Sequence, residues 1–178
     1  MTQIIDISID LETLGKSTSA IILAIGIADS NGIGFTVMPS VAEQLQEGRT
    51  LDDDTLLWWL VQSDAARNAL KGPRVSLKSA RMTITDFFSE AIEHYDEYRV
   101  WGNSPSFDCE ILGSFLGCKP WPFYLERDVR TAREILESRT KPTTPHSALS
   151  DAQAQLEDVL RYRQKRKAPW AIEPEVGK

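Results

Sequence analysis

The sequence IIDISIDLE, residues 4–12, alternates apolar and polar side chains from Ile5 onward. Alternation with a period of two predicts a β-strand that buries one face. Asp10 and Glu12 are two positions apart, so both carboxylates project to the same side, with Cα atoms roughly 7 Å apart. This first strand therefore presents an apolar face and an acidic face.

A hairpin is predicted directly after this strand. Ala20 to Ala28 is a β-branched apolar run, and the sequence Ser30-Asn31-Gly32 is a turn signal. The segment from Gly34 to Met38 then has the composition of a third strand. The sheet is therefore expected to start with three antiparallel strands.

Helices and strands alternate in the rest of the chain. Residues 41–54 are charged and without period, so we expect irregular structure there, followed by one helix over residues 53–70. Apolar spacing predicts the clearest helix over residues 83–95, with Thr83 and Asp86 as a capping pair.

A strand, helix, strand order follows, and it indicates a parallel crossover. The predicted segments are a strand at 99–102, a helix at 106–116, a strand at 123–125, and helices at 130–137 and 147–165. The fold class is α/β, with a mixed five-stranded sheet flanked by helices. We expect a single domain over residues 1–167 and a C-terminal tail over residues 168–178.

The amino-acid composition restricts the classes of function that this protein can have. The net charge of −6 and a pI near 5.0 argue against a protein that binds nucleic acid over a long basic face. A site for divalent cations is built from carboxylates, however, and the bound cations then face a phosphate. No signal peptide or membrane-crossing run is apparent, so a cytoplasmic protein without a membrane partner is expected.

Three further residues are candidates for chemistry. Asp108 falls in the first turn of a helix that follows a strand, and His146 and Asp151 flank the start of the last helix. Taken singly, each has a structural explanation, such as a carboxylate at a helix N-terminus or a histidine on a surface loop. An acidic pair on the first strand, a middle aspartate and a late H-x4-D seldom occur together in this order by chance.

The combined pattern resembles the DEDDh exonucleases of the DnaQ-like, RNase H-like superfamily. The segment TLLWWLVQS at residues 55–63, followed by Ala66 and Arg67, is similar to the T-x-x-W-W segment of a small bacterial and phage exoribonuclease subfamily. The resemblance covers about residues 4–162. It implies the RNase H-like fold, and the histidine in the third motif favours the DEDDh over the DEDDy branch.

The resemblance also implies a function and the residues that carry it out. It implies a metal-dependent 3′-to-5′ exonuclease that releases nucleoside 5′-monophosphates from the 3′ end of RNA or single-stranded DNA. Two Mg²⁺ or Mn²⁺ ions would be held by four carboxylates, and His146 would act as general base. The implied metal ligands are Asp10, Glu12, Asp108 and Asp151.

Substrate-binding residues are expected around these motifs. Leu11 and Thr13 flank the first motif and would wedge against the terminal base and sugar, and Phe107 and Trp59 or Trp58 would stack on bases. Consecutive helical residues point about 100° apart, so the two tryptophans are not equally buried. Arginines at 127, 130 and 133 are candidates for phosphate contacts. Because relatives with this motif set often pair, the resemblance allows a homodimer, which the sequence itself does not show.

Three other functions compete with this hypothesis. A binding module of the same fold that has lost catalysis would lack motif residues, whereas all five are present. A receiver-type signalling domain would alternate strand and helix from its start, which the predicted hairpin contradicts. An interaction protein with an exposed Trp58-Trp59 helix would show no metal dependence.

Overall fold

Five strands form one mixed sheet in the computed structural model, which describes residues 4–167 of the chain. In spatial order the strands are β3 (Gly34–Val37), β2 (Ile22–Asp29), β1 (Ile4–Thr13), β4 (Glu97–Gly102) and β5 (Glu126–Asp128). The first three strands pair antiparallel, and β4 and β5 pair parallel to their neighbours. The α/β class and this mixed topology are confirmed. The predicted tail, residues 168–178, lies outside the described residues.

Strand β1 lies at the centre of the sheet, between β2 and β4. Ile5, Ile7 and Ile9 belong to the main hydrophobic core on one face. On the other face, Asp6 and Ser8 are also fully buried. The acidic face of β1 is therefore covered by protein, unlike the solvated face of an edge strand.

Helices cover both faces of the sheet. They are α1 (Val41–Gln46), α2 (Asp53–Leu60), α3 (Asp64–Ala69), α4 (Leu77–His94), α5 (Pro105–Leu116), α6 (Val129–Leu136) and α7 (Ala148–Lys167). Side chains of α4 and α5 complete the main core, whereas α6 and α7 pack on the opposite face. Among the helices described, none has an apolar stretch long enough to cross a membrane.

Two predictions for residues 41–70 are wrong. Residues 41–54 were expected to be irregular, but they contain α1, whose start is capped by the Ser40 hydroxyl. The single helix expected over residues 53–70 is two helices, because Ser63 accepts a hydrogen bond from the backbone N–H of Ala66 and starts α3. A capping serine inside an apolar pattern divides a helix that periodicity alone predicts as continuous.

Two other boundaries also differ. Helix α4 begins at Leu77, where the Ser76 hydroxyl accepts from the N–H of Ser79, so the expected start at Thr83 with Asp86 as capping partner is wrong. Residues 123–125 form a 3₁₀ turn, not a strand. The strand comes immediately afterwards, since only residues 126–128 pair with β4.

Gly26 determines how closely α7 approaches the sheet. It lies directly opposite Asp10 in the pairing of β1 with β2. A Cβ atom at this position would lie 2.1 Å from the backbone carbon of Ala148, the first residue of α7. The missing side chain therefore allows the start of α7 to lie against the sheet beside Asp10.

Replacing Gly26 with alanine is expected to destabilise the protein by about 1–3 kcal/mol, because the clash is with backbone that must move. A thermal melt should show a Tm lowered by about 2–10 °C. Gly34→Ala is the matched control, since a Cβ there would meet only the side-chain ends of Leu149 and Gln153. Equal Tm values for the two variants would contradict this account of Gly26.

Candidate active site

Three elements of the fold bring four carboxylates together. Asp10 and Glu12 lie near the carboxyl end of β1, Asp108 in the first turn of α5, and Asp151 in the first turn of α7. One carboxylate oxygen from each of Asp10, Glu12 and Asp151 lies within 4.8 Å of the other two. Asp108 borders the same cavity as Asp10 and Glu12. The structure thus brings together all four acidic residues that the sequence singled out.

The end of β4 determines the position of Asp108. Pairing of β4 with β1 stops where Gly102 lies opposite Ile9, so Leu11 extends beyond the end of β4. The backbone N–H groups of Leu11 and Asn103 face the Asp108 carboxyl group and oppose a rise in its pKa. Burial is stronger and raises the pKa of Asp108 to about 7. The backbone N–H of Leu11 therefore links the Asp108 carboxyl group to the end of β1.

Burial raises the pKa of all four acids, and the charges of neighbouring carboxylates raise the pKa of Asp10 and of Glu12 further. Burial, followed by the charges of Asp108, Glu12 and Asp151, raises the pKa of Asp10 well above its usual range. Burial and the charges of Asp151 and Asp108 raise the pKa of Glu12 to about 8. The pKa of Asp151 is also raised, mainly by burial. Without a counter-charge, the fully ionised cluster is electrostatically unfavourable.

This cluster fits divalent cations. Its donor atoms are all carboxylate oxygens, which are the ligands that Mg²⁺ and Mn²⁺ prefer. Three of the carboxylates approach closely enough to share an ion. The positive charge of a bound cation would also offset the carboxylate charges that raise the pKa of Asp10 and of Glu12.

His146 lies on the loop before α7, next to the carboxylate cluster. The backbone N–H of the following residue, Ser147, donates a 3.1 Å hydrogen bond to Asp151 Oδ2. The imidazole ring meets Trp58 edge-to-face, with ring centroids 5.0 Å apart, and lies 6.2 Å from Trp59. His146 has a left-handed backbone, with φ of 59°. The loop thus places the imidazole between the two tryptophans of α2 and Asp151.

A cavity of about 800 Å³ opens beside the carboxylates. The four residues predicted to bind substrate, Leu11, Thr13, Trp59 and Phe107, all line it. Leu11 and Thr13 come from the same strand end as the first motif, and Phe107 immediately precedes Asp108 in the chain. Hydrophobic walls and the acidic cluster therefore belong to one concave site.

The two tryptophans of α2 have different roles in this wall. Trp59 is only 6% exposed, and its Nε1 donates a 2.9 Å hydrogen bond to the backbone carbonyl of Thr13. Trp58 is 42% exposed and also lines the cavity. Trp59 fixes α2 to the end of β1, and Trp58 is the tryptophan with an accessible surface.

Sequence reasoning missed Gln155, whose Nε2 donates a 2.6 Å hydrogen bond to Asp10 Oδ1. Its position four residues after Asp151 on a helix was the available signal, because such residues share a helix face.

The three arginines proposed for phosphate contacts have different surroundings. Arg133 pairs with the buried Asp158 at 2.7 Å, and Arg127 donates to backbone carbonyl groups. Arg130 lines the cavity.

The comparisons with known proteins agree with this geometry. Residues 5–162 match the family model described as the 3′-5′ exoribonuclease Rv2179c-like domain. Among solved structures, cell-death related nuclease 4 (CRN-4) has a similar fold, with a TM-score of 0.51 and 10% sequence identity over 92% of this chain. The chain spans 64% of the length of that nuclease, and at this identity the similarity concerns the fold alone. Comparison with curated proteins gave no match.

Proposed function

Because the chain belongs to the family of Rv2179c-like 3′-5′ exoribonuclease domains, we propose that it removes nucleoside 5′-monophosphates from the 3′ end of single-stranded RNA or DNA. The family description favours RNA as the substrate. The observation that carries the proposal is the cluster of Asp10, Glu12 and Asp151, within 4.8 Å of one another, beside a cavity that Asp108 also lines.

The four carboxylates would hold two divalent cations, Mg²⁺ or Mn²⁺. Such ions stabilise charge on the attacking and leaving oxygens and lower the pKa of water, which is the chemistry that phosphodiester hydrolysis needs. Asp10, Glu12 and Asp151 have the spacing to share an ion, and Asp108 adds a fourth carboxylate that lines the same cavity as Asp10 and Glu12. Two ions and four carboxylates together bring the local charge near neutrality.

His146 is proposed to accept the proton of the attacking water. The water oxygen forms a new bond to the terminal phosphorus, and the bond from phosphorus to the 3′ oxygen of the preceding nucleotide breaks. The products are a nucleoside 5′-monophosphate and a chain shortened by one residue with a free 3′ hydroxyl.

The cavity walls are proposed to hold the 3′-terminal nucleotides. Leu11 and Thr13 would contact the terminal base and sugar, and the half-buried Phe107 and exposed Trp58 would stack on bases. Trp59 would act mainly through its hydrogen bond to Thr13, which fixes the cavity wall.

Arg130 is proposed to contact a substrate phosphate. The chain has twelve arginines, all within residues 4–167, and ten of them donate side-chain hydrogen bonds. The other two, Arg130 and Arg139, are exposed, and their charges act on Asp108 and Asp151 respectively. Within residues 4–167 these two guanidinium groups have no hydrogen-bond partner, and both are near the site, where an anionic ligand would supply one.

Arg130→Ala is expected to raise KM for a single-stranded oligomer about 3- to 10-fold, with kcat nearly unchanged, because an exposed charged contact contributes modestly to binding. Steady-state kinetics at two salt concentrations would measure this, and the variant should show a weaker salt dependence of KM. Arg127→Ala is the matched control, since Arg127 donates to backbone carbonyl groups. An unchanged KM in Arg130→Ala would contradict the phosphate contact.

The main experiment uses 5′-labelled RNA and DNA oligomers of one sequence, single-stranded and duplex, with Mn²⁺, Mg²⁺ or EDTA. A descending ladder of products that requires metal and single-stranded ends would support the proposal, and the relative rates would identify the preferred sugar. Folded protein that shortens no oligomer with either metal would contradict it and would favour a binding module of the same fold.

A further inference from the structure

Gln155 links two polar residues of β1 inside the protein. Its Nε2 donates a 2.6 Å hydrogen bond to Asp10 Oδ1, and its Oε1 accepts a 3.3 Å hydrogen bond from the Ser8 hydroxyl. Gln155 is 2% exposed and Ser8 is fully buried. The hydrogen bond between Gln155 and Ser8 is therefore shielded from bulk water, and the one between Gln155 and Asp10 is partly shielded.

The chemistry of the three groups determines which end of the amide faces Asp10. An ionised carboxylate has acceptors only, so the NH₂ group of Gln155 must point toward it. The amide oxygen then faces Ser8, whose hydroxyl is the donor at that end. Ser8 thus stabilises the amide orientation that presents a donor to Asp10.

This arrangement follows from two sequence spacings. Ser8 and Asp10 are two residues apart on β1 and share one face of the strand. Asp151 and Gln155 are four residues apart on α7 and share one face of the helix. Docking of α7 on β1 therefore brings a carboxylate and an amide to the acidic face of β1 at the same time.

We propose that Gln155 is a positioning residue for metal binding, which acts by holding the Asp10 carboxylate in one orientation. Its hydrogen bond to Oδ1 limits rotation of the carboxylate, which would share a cation with Glu12 and Asp151. Hydrogen bonds of this kind to metal-binding carboxylates typically change metal affinity about 10- to 100-fold. The inference concerns the binding of the ion. It rests on the proposed function only in that the bound ion is used for cleavage.

Calorimetric titration with Mn²⁺ tests this role without any nucleic acid. Gln155→Leu, which keeps the approximate volume and removes the donor, is expected to raise the Kd for Mn²⁺ about 10- to 100-fold. Ser8→Ala should change the Kd in the same direction by less, because it only frees the amide to rotate. Gln153→Leu is the matched control, since Gln153 is on the same helix and exposed, and its Kd should equal that of the wild type.

A wild-type Kd in folded Gln155→Leu, or an equal rise in Gln153→Leu, would overturn the inference. If Gln155→Leu does not fold, the folded Ser8→Ala variant decides, and an unchanged Kd there overturns the inference as well. A wild-type protein that binds Mn²⁺ but shortens no oligomer would contradict the proposed function and leave the role of Gln155 intact. In activity assays at saturating Mn²⁺, the KM for the oligomer should stay unchanged in Gln155→Leu.

Discussion

Asp10→Asn is expected to lower kcat/KM by about 10³-fold or more and, in the absence of metal, to make the protein more stable above pH 7. The loss of activity follows because Asp10 is acted on by all three other carboxylates proposed to bind metal, and metal ions contribute several kcal/mol of charge stabilisation in such reactions. The gain in stability follows because burial and three neighbouring carboxylates raise the pKa of Asp10.

The direction of the pH effect follows from proton binding. The pKa of Glu12 is about 8 in the folded protein and 4.5 in the unfolded chain, so the folded state binds more protons between these values. The free energy of unfolding of the metal-free protein should therefore fall as pH rises from about 4.5 to 8. Asp10→Asn removes a second carboxyl group whose pKa is raised in the folded protein, so the stability of the variant should fall less over the same range.

Thermal melts in EDTA at pH 6 and pH 8 measure this difference. The Tm of the wild type should decrease between these pH values by more than the Tm of Asp10→Asn, and Mn²⁺ should restore the wild type at pH 8. Asp86→Asn, the same chemical change on an exposed helix position, should behave as the wild type. At pH 8 in EDTA, the Tm of Asp10→Asn could instead be lower than the Tm of the wild type. That result would contradict repulsion among the carboxylates.

His146→Ala is expected to lower kcat about 10²- to 10⁴-fold, the usual contribution of general acid–base catalysis, while the Kd for Mn²⁺ stays unchanged. The imidazole is not part of the carboxylate cluster that the structure brings together, and it lies against Trp58.

His94→Ala provides the control for this prediction. His94 is exposed near the end of α4, where its Nδ1 lies 2.8 Å from the carbonyl oxygen of Glu90. Its replacement should leave kcat unchanged. If His146→Ala retained the kcat of the wild type, another group would have to take the proton.

Local patterns were sufficient to predict most of the fold. Alternation in residues 4–12 predicted β1, and the Ser30-Asn31-Gly32 turn predicted the hairpin, because each depends on neighbouring residues. The central position of β1 was not predictable from such patterns, since it depends on which distant strands pair with it. The division of residues 53–70 at Ser63 shows the same limit, because capping competes with apolar periodicity there.

The candidate site was predictable for those residues whose type and spacing in the sequence indicate a function. The order of the acidic motifs and His146 singled out residues that the fold brings together near the carboxyl end of β1. Which tryptophan is exposed depends on how α2 docks, and the hydrogen bond from Trp59 to Thr13 decides it. Gln155 was not predicted because its place on the same helix face as Asp151 does not show which residue of another element it contacts.

The hydrogen bond between Gln155 and Asp10 joins residues that are 145 positions apart in the chain. Synthesis on a ribosome proceeds from the N-terminus, so β1 emerges long before α7. A nascent polypeptide that ends before residue 148 contains the β1 and α5 carboxylates but lacks Asp151 and Gln155. The proposed catalytic centre can therefore be assembled only after α7 has emerged, because the first 147 residues of this chain lack the Asp151 carboxylate and the Gln155 amide.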